Sequence, residues 1–282
     1  MSTLQRWLPR HWRQLPELPE ALWRATVQGQ PYLSKLSAEE EGRLRTLSKH
    51  FLLEKEFHGA HGLLITDAMA LTIAAQACLP LLYLPGPGQA NLANHPLRSL
   101  DWYDDFVGIV VQPGAAIAQR EVTDASGVVH RYRETLAGEA MQGGPVMLSW
   151  AEVARSAHAA EAGSNVVIHE FVHKMDMRGT LRGQAADGAP NWSHACLGAL
   201  KGESARAHWL ETMSTAYNGF REALNMAERF GGEKPWLDAY GATEPAEFFA
   251  VTCEAYFVNR ARFGEEFPPL LALYDSFFRQ GV

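Results

Sequence analysis

Cysteine is scarce in this chain: the 282 residues include only Cys78, Cys196 and Cys253, with no Cys-x-x-Cys pair. A disulfide framework is thereby excluded, and a reducing cytoplasm is the expected compartment. Long apolar runs are missing too. The longest candidate, Ala68 to Leu84, is broken by Thr72, Gln76 and Pro80, and Met1 to Arg13 is basic and Trp-containing without an apolar signal core. Positive charge is in short supply, with 25 Lys and Arg against 32 Asp and Glu and a net charge of -7, which argues against a general nucleic-acid binder. Neither nucleic acid nor membrane is therefore an expected partner. There is no Gly-x-Ser-x-Gly elbow, no internal repeat and no low-complexity linker. The Gly-rich Pro85-Gly86-Pro87-Gly88-Gln89 lacks the Lys-Ser/Thr ending of a phosphate loop and reads as a turn. Arg6-Trp7-Leu8-Pro9-Arg10-His11-Trp12-Arg13 reads as a helix or arm whose tryptophans pack while its arginines stay solvated.

What the chain has is enough apolar material for a core, 47% of its residues. Pro19 to Gln28, Ser37 to Lys55 and Thr66 to Ala77 read as helices, the last two opening on capping residues. Strand-like runs follow at Val107 to Gln112, Ile117 to Thr123, Val128 to Glu134 and Val146 to Trp150. Further helices are expected over the motif described next, near Ala205 to Phe230, and over Thr243 to Asn259 and Phe267 to Arg279. Helices, then strands, then helices suggest a single α+β domain over 1–282. A mainly helical part over 1–100 would precede the strands and further helices over 101–282.

The most informative stretch is Val166-Val167-Ile168-His169-Glu170-Phe171-Val172-His173. Two histidines four apart on a helix lie about 40° apart around the axis and one turn apart along it, so both imidazoles can reach one ion. A carboxylate between them, at Glu170, suits a general base that takes a proton from metal-activated water. Ser164 or Asn165 can cap the helix, and Val166, Val167, Phe171 and Val172 give it a buried flank. Asp176, seven residues beyond His169 on the same face, is placed to orient a ligand imidazole or simply to end the helix.

A catalytic zinc needs a third protein ligand and an open position. No histidine extends the motif, since position 176 is Asp and 179 is Gly. Tyr240-Gly241-Ala242-Thr243-Glu244-Pro245-Ala246-Glu247-Phe248-Phe249-Ala250 is the best source, with Thr243 as a helix cap and acids at Glu244, Glu247 and Glu254 near one face. Periodicity does not choose between Glu244 and Glu247.

His169 to Met177, together with the Tyr240 to Phe249 segment, closely resembles the Mlc titration factor A family of bacterial zinc peptidases. Phe57-His58-Gly59-Ala60-His61-Gly62-Leu63, Ile73 to Pro80, Leu100-Asp101-Trp102-Tyr103 and Gly144 to Trp150 extend the likeness over nearly the whole chain. In that family, and in the similar catalytic domain of anthrax lethal factor, the third ligand is a Glu on a later helix, seven residues after a Tyr. The resemblance thus implies a zincin-like core of the gluzincin type with an N-terminal helical layer, one zinc ion on His169, His173 and Glu247, Glu170 as base, and Tyr240 as the hydroxyl facing the substrate. It also implies aminopeptidase-like activity on short peptides, and association with a transcriptional repressor that controls sugar uptake. A peptide or protein substrate and a repressor are the two partner classes. A pure binder has no need of Glu170, so catalysis is the leading expectation. The stretch Arg178 to Trp209 looks longer than usual for the family; it reads as a surface loop, and its His194 and Cys196 also make it a candidate plug over the metal.

Overall fold

The computed structural model describes residues 16–87, 96–114, 116–123, 129–136, 138–140, 143–178, 186–190, 196–197 and 200–280. The arm at 6–13, Gly88, Gln89 and His194 lie outside these residues.

The N-terminal helices start where the capping signals stand. After α1 (Glu20–Gln28), α2 (Ala38–Glu54) opens on a full capping box: the Ser37 side chain accepts from Glu40 N–H, and the Glu40 carboxylate accepts from Ser37 N–H. Thr66 caps α3 (Asp67–Cys78) with a single bond, its hydroxyl accepting Met69 N–H. Between them lies β1 (Glu56–Gly59), which pairs in parallel with β2 (Gly108–Gln112). This strand was not among those expected. At four residues with an exposed flank it carries no alternating signal.

Strands β3 (Ala116–Thr123) and β4 (Val129–Leu136) form an antiparallel pair, close to the expected limits. Then β5 (Gly138–Ala140) and β6 (Val146–Ser149) complete a four-stranded sheet of order β1-β2-β6-β5. The first three strands run parallel, and β5 runs antiparallel along β6. Ile109 and Val111 on β2 and Val146 and Leu148 on β6 are completely buried on one face of it. The last expected strand was to reach Trp150, but Trp150 instead begins α4 (Trp150–Ala159), because the Ser149 hydroxyl accepts Glu152 N–H and turns the chain into a helix.

A 3₁₀ turn over Ala160–Ala162 ends at Gly163, whose φ of 78° reverses the chain. A Cβ there would meet the Trp236 ring at 2.8 Å. The central helix α5 (Val166–Met177) follows and packs against α3, β5, β6 and α7 (Pro245–Val258). Phe171 anchors it, with ring centroids 5.0 Å from Tyr103, 5.6 Å from Phe51 and 5.9 Å from Phe106.

The short pair β7 (Cys196–Leu197) and β8 (Leu200–Lys201) leads into α6 (Gly202–Phe230), and α8 (Arg260–Glu266) and α9 (Pro268–Phe278) close the chain. One buried cluster runs from Trp23 on α1 through the sheet to Phe278 on α9. The α+β class is as expected, with the helical N-terminal segment packed onto the rest through α3 and α5.

Candidate metal centre

The site is built where α5 meets α7. Of the two capping candidates, Asn165 holds the role: its Oδ1 accepts Ile168 N–H at 3.0 Å. His169 and His173 then lie one turn apart, with ring centroids 4.8 Å apart and Nε2 atoms separated by 3.2 Å. Helix α7 is started by Glu244 at the cap and Pro245 at its first position, not by Thr243, whose hydroxyl donates to Tyr240 O instead. That start points Glu247 inward. Its Oε2 lies 3.0 Å from His169 Nε2 and 3.3 Å from His173 Nε2, and the three donor atoms all fall within 4.8 Å of one another.

Glu254, two turns along α7 from Glu247, faces the other edge of the same imidazole. Its Oε1 is 2.7 Å from His169 Nδ1, while Oε2 accepts the Ser164 hydroxyl at 3.1 Å and Asn165 N–H. A carboxylate only accepts, so Nδ1 carries a proton and Nε2 faces the cluster, where a bound cation would take the place of the second proton that the adjacent glutamates favour. The sequence leaves Asp176 either this orienting duty or a plain helix end. That residue is instead fully buried with Oδ2 accepting Gly188 N–H at 2.9 Å, and Glu254 does the orienting.

Electrostatics follow the geometry. Burial opposes ionisation of Glu247, yet hydrogen bonds from His169 and His173 outweigh it and hold its carboxyl well below the usual range. Burial likewise opposes the charged form of His169, and the adjacent Glu254 and Glu247 overcome it, pushing the imidazole well above its ordinary value. At Asp176 burial prevails and raises the carboxyl to about 6, partly offset by the Gly188 N–H.

The remaining expected residues surround the cluster. Glu170 is buried on α5 between the two histidines. Tyr240 lies in the 3₁₀ turn Ala239–Ala242, its N–H held by Asp238 at 2.9 Å and its ring centroid 6.2 Å from that of His169. Glu244 is exposed and outside the cluster.

The Arg178 to Trp209 stretch departs from a plain surface loop. Gly188, Ala189 and Pro190 are buried, with Gly188 O accepting the Trp209 indole N–H at 2.7 Å. The side chain of Cys196, like the whole of His194, lies outside the described residues.

Two imidazole nitrogens and one carboxylate oxygen, converging with Nε2 of His169 aimed inward, fit a divalent transition metal and would leave a coordination position open. On an α+β frame, with a glutamate between the two histidines, this is the arrangement of a metallopeptidase. The chain belongs to the family described as glucose-regulated metallo-peptidase M90, whose sequence model matches residues 4–279. Proteins named Mlc titration factor A are among its relatives. That of Salmonella arizonae is 31% identical over 250 residues, spanning 89% of this chain and 87% of its own length. That of Salmonella gallinarum is also 31% identical over 250 residues, spanning 89% of this chain and 83% of its own.

Proposed function

We propose that this chain is a single-domain zinc peptidase that hydrolyses short peptides from the amino end in the cytoplasm, with His169, His173 and Glu247 holding the ion. The observation that carries this reading is the convergence of three ligand atoms from two helices, within 4.8 Å, with the buried Glu170 between the two histidines along α5. Nitrogen and carboxylate donors in this ratio suit zinc. The bound ion supplies a Lewis acid that brings the pKa of water from about 15.7 towards about 7.

The chain's own groups do the rest. Glu170 takes the water proton on its carboxylate and returns it to the departing amine nitrogen, which needs a base that is not itself a ligand. The Tyr240 hydroxyl donates to the carbonyl oxygen as negative charge builds there. Glu254 keeps the proton on Nδ1 of His169, so that Nε2 stays a ligand. The deciding experiment is metal analysis of the purified chain together with a peptide-substrate screen, with and without chelator. Stoichiometric zinc and chelator-sensitive cleavage are expected; a metal-free protein with no chelator-sensitive activity overturns the reading.

A second reading is supported by the relatives' name. Titration of an Mlc-type repressor would make this chain a binding protein that acts on sugar uptake through a transcription regulator, with cleavage secondary. Co-purification with such a repressor by a Glu170→Gln variant as well as by the parent would favour it.

A further inference from the structure

Asn165 does more than start the active-site helix. It is 1% exposed, and its side chain is fully engaged. Oδ1 takes Ile168 N–H, while Nδ2 donates to the Tyr32 hydroxyl at 2.7 Å and to Gln76 Oε1 at 2.8 Å. Its backbone holds His169 from two sides. The Asn165 carbonyl accepts His169 N–H at 3.0 Å, and Asn165 N–H donates to Glu254 Oε2, whose Oε1 receives Nδ1 of His169 at 2.7 Å. Asn165, Glu254 and His169 thus close a ring of hydrogen bonds, and the two Nδ2 bonds pin that ring to α3 and to the segment after α1.

The geometry points to Asn165 as a positioning residue for His169, fixing both the main chain and the imidazole of that ligand, with Tyr32 and Gln76 fixing Asn165 in turn. The inference rests on the reading of His169 as a zinc ligand. Ser, Thr and Asp cap helices as well as Asn does, so capping alone does not select this residue. Only Asn adds two donors, and both are used. Gln76 is completely buried and spends its own Nε2 on Thr72 O at 3.1 Å, leaving its Oε1 to accept. An Asp at 165 would keep the cap but turn a carboxylate oxygen towards Gln76 Oε1 in place of the Nδ2 donor.

Zinc affinity of the full chain, measured by competition with a chromophoric chelator, tests this on the parent, Asn165→Asp, Tyr32→Phe and Ser37→Ala. Asn165→Asp should bind zinc about 10- to 100-fold more weakly, the usual cost of disturbing the groups behind a ligand, and lose kcat with KM little changed. Tyr32→Phe should shift affinity in the same direction by less. Ser37→Ala removes an exposed cap on another helix and should keep parental affinity. Parental zinc affinity in Asn165→Asp overturns the inference, as does equal weakening in Ser37→Ala, which would mark general loosening. If Asn165→Asp does not fold, parental affinity in Tyr32→Phe overturns it. A parent that binds no zinc, or a His169→Ala variant that binds it as tightly as the parent, fells the underlying reading instead.

Discussion

Nδ1 of His169 lies 2.7 Å from Oε1 of Glu254, on the edge of the imidazole opposite Glu247. The ring is therefore gripped from behind by one glutamate of α7 and faced by another, seven residues earlier on the same helix. A rotated imidazole would break the rear bond before it left the cluster, so the carboxylate sets ring angle and tautomer together.

Glu254→Gln tests that grip. The amide oxygen can still accept from Nδ1, but its NH₂ group then opposes Asn165 N–H, and the negative charge is gone. Zinc affinity should fall about 10- to 100-fold while the fold survives. Chelator competition at fixed pH measures it, and parental affinity would remove Glu254 from the account.

Glu170→Gln separates base from ligand. Zinc content should match the parent because the glutamate does not share the ligand cluster, while kcat should fall by about 10²- to 10⁴-fold. Full turnover in this variant would sink the proposed proton path.

Much of this was legible in the sequence, and the parts that were not share a physical reason. Caps at Ser37 and Thr66 and the His169 to His173 spacing are local signals, and the helices begin where they stand. Glu254 was legible only as a third acid on the face of Glu247. Which side of an imidazole it would meet depends on how α7 crosses α5, and no local pattern records that. The same holds for β1, made a strand by pairing with β2 rather than by its own alternation, and for residues 188–190, which are small and polar-flanked yet buried because Asp176 and Trp209 need partners.

Asp176 offers a pH test. Its carboxyl titrates at about 6 in the folded chain against an ordinary 3.8, with burial as the main cause. Between these values the native state binds more protons than the unfolded one. Stability from this group is therefore fully present below the lower value and is lost as pH rises through about 6, on the order of 2–3 kcal/mol. In Asp176→Asn, whose amide oxygen can still accept Gly188 N–H, the fall in Tm between about pH 4 and pH 6.5 should flatten. An unchanged slope would assign the titration elsewhere.

Gly188 has a φ of 74°, and a Cβ there would come 2.7 Å from Pro245 O, at the first residue of α7. Gly188→Ala should therefore destabilise the chain by about 1–3 kcal/mol, combining backbone strain with displacement of that helix start. Thermal melts would show it, and a parental Tm would mean that the loop yields freely.

The last test distinguishes the two acids beside the α7 start and places Tyr240. Glu244 stands at the N-cap position with its side chain exposed and making no capping hydrogen bond, whereas Glu247 reaches both histidines at 3.0 and 3.3 Å. Glu244→Gln should accordingly retain zinc and Glu247→Gln should not. Tyr240 stands in the turn just before, its ring tilted 33° to that of His169 at 6.2 Å between centroids, near enough to face a substrate carbonyl and not itself one of the three ligand residues. Tyr240→Phe keeps the ring and removes only the hydroxyl, so zinc and KM should hold while kcat drops by about 10- to 1000-fold, the signature of a bond made mainly in the transition state. Steady-state kinetics with zinc analysis of all three variants decides the matter: zinc loss in Glu244→Gln with retention in Glu247→Gln would reverse the ligand assignment, and an unaltered kcat in Tyr240→Phe would take the hydroxyl out of the reaction.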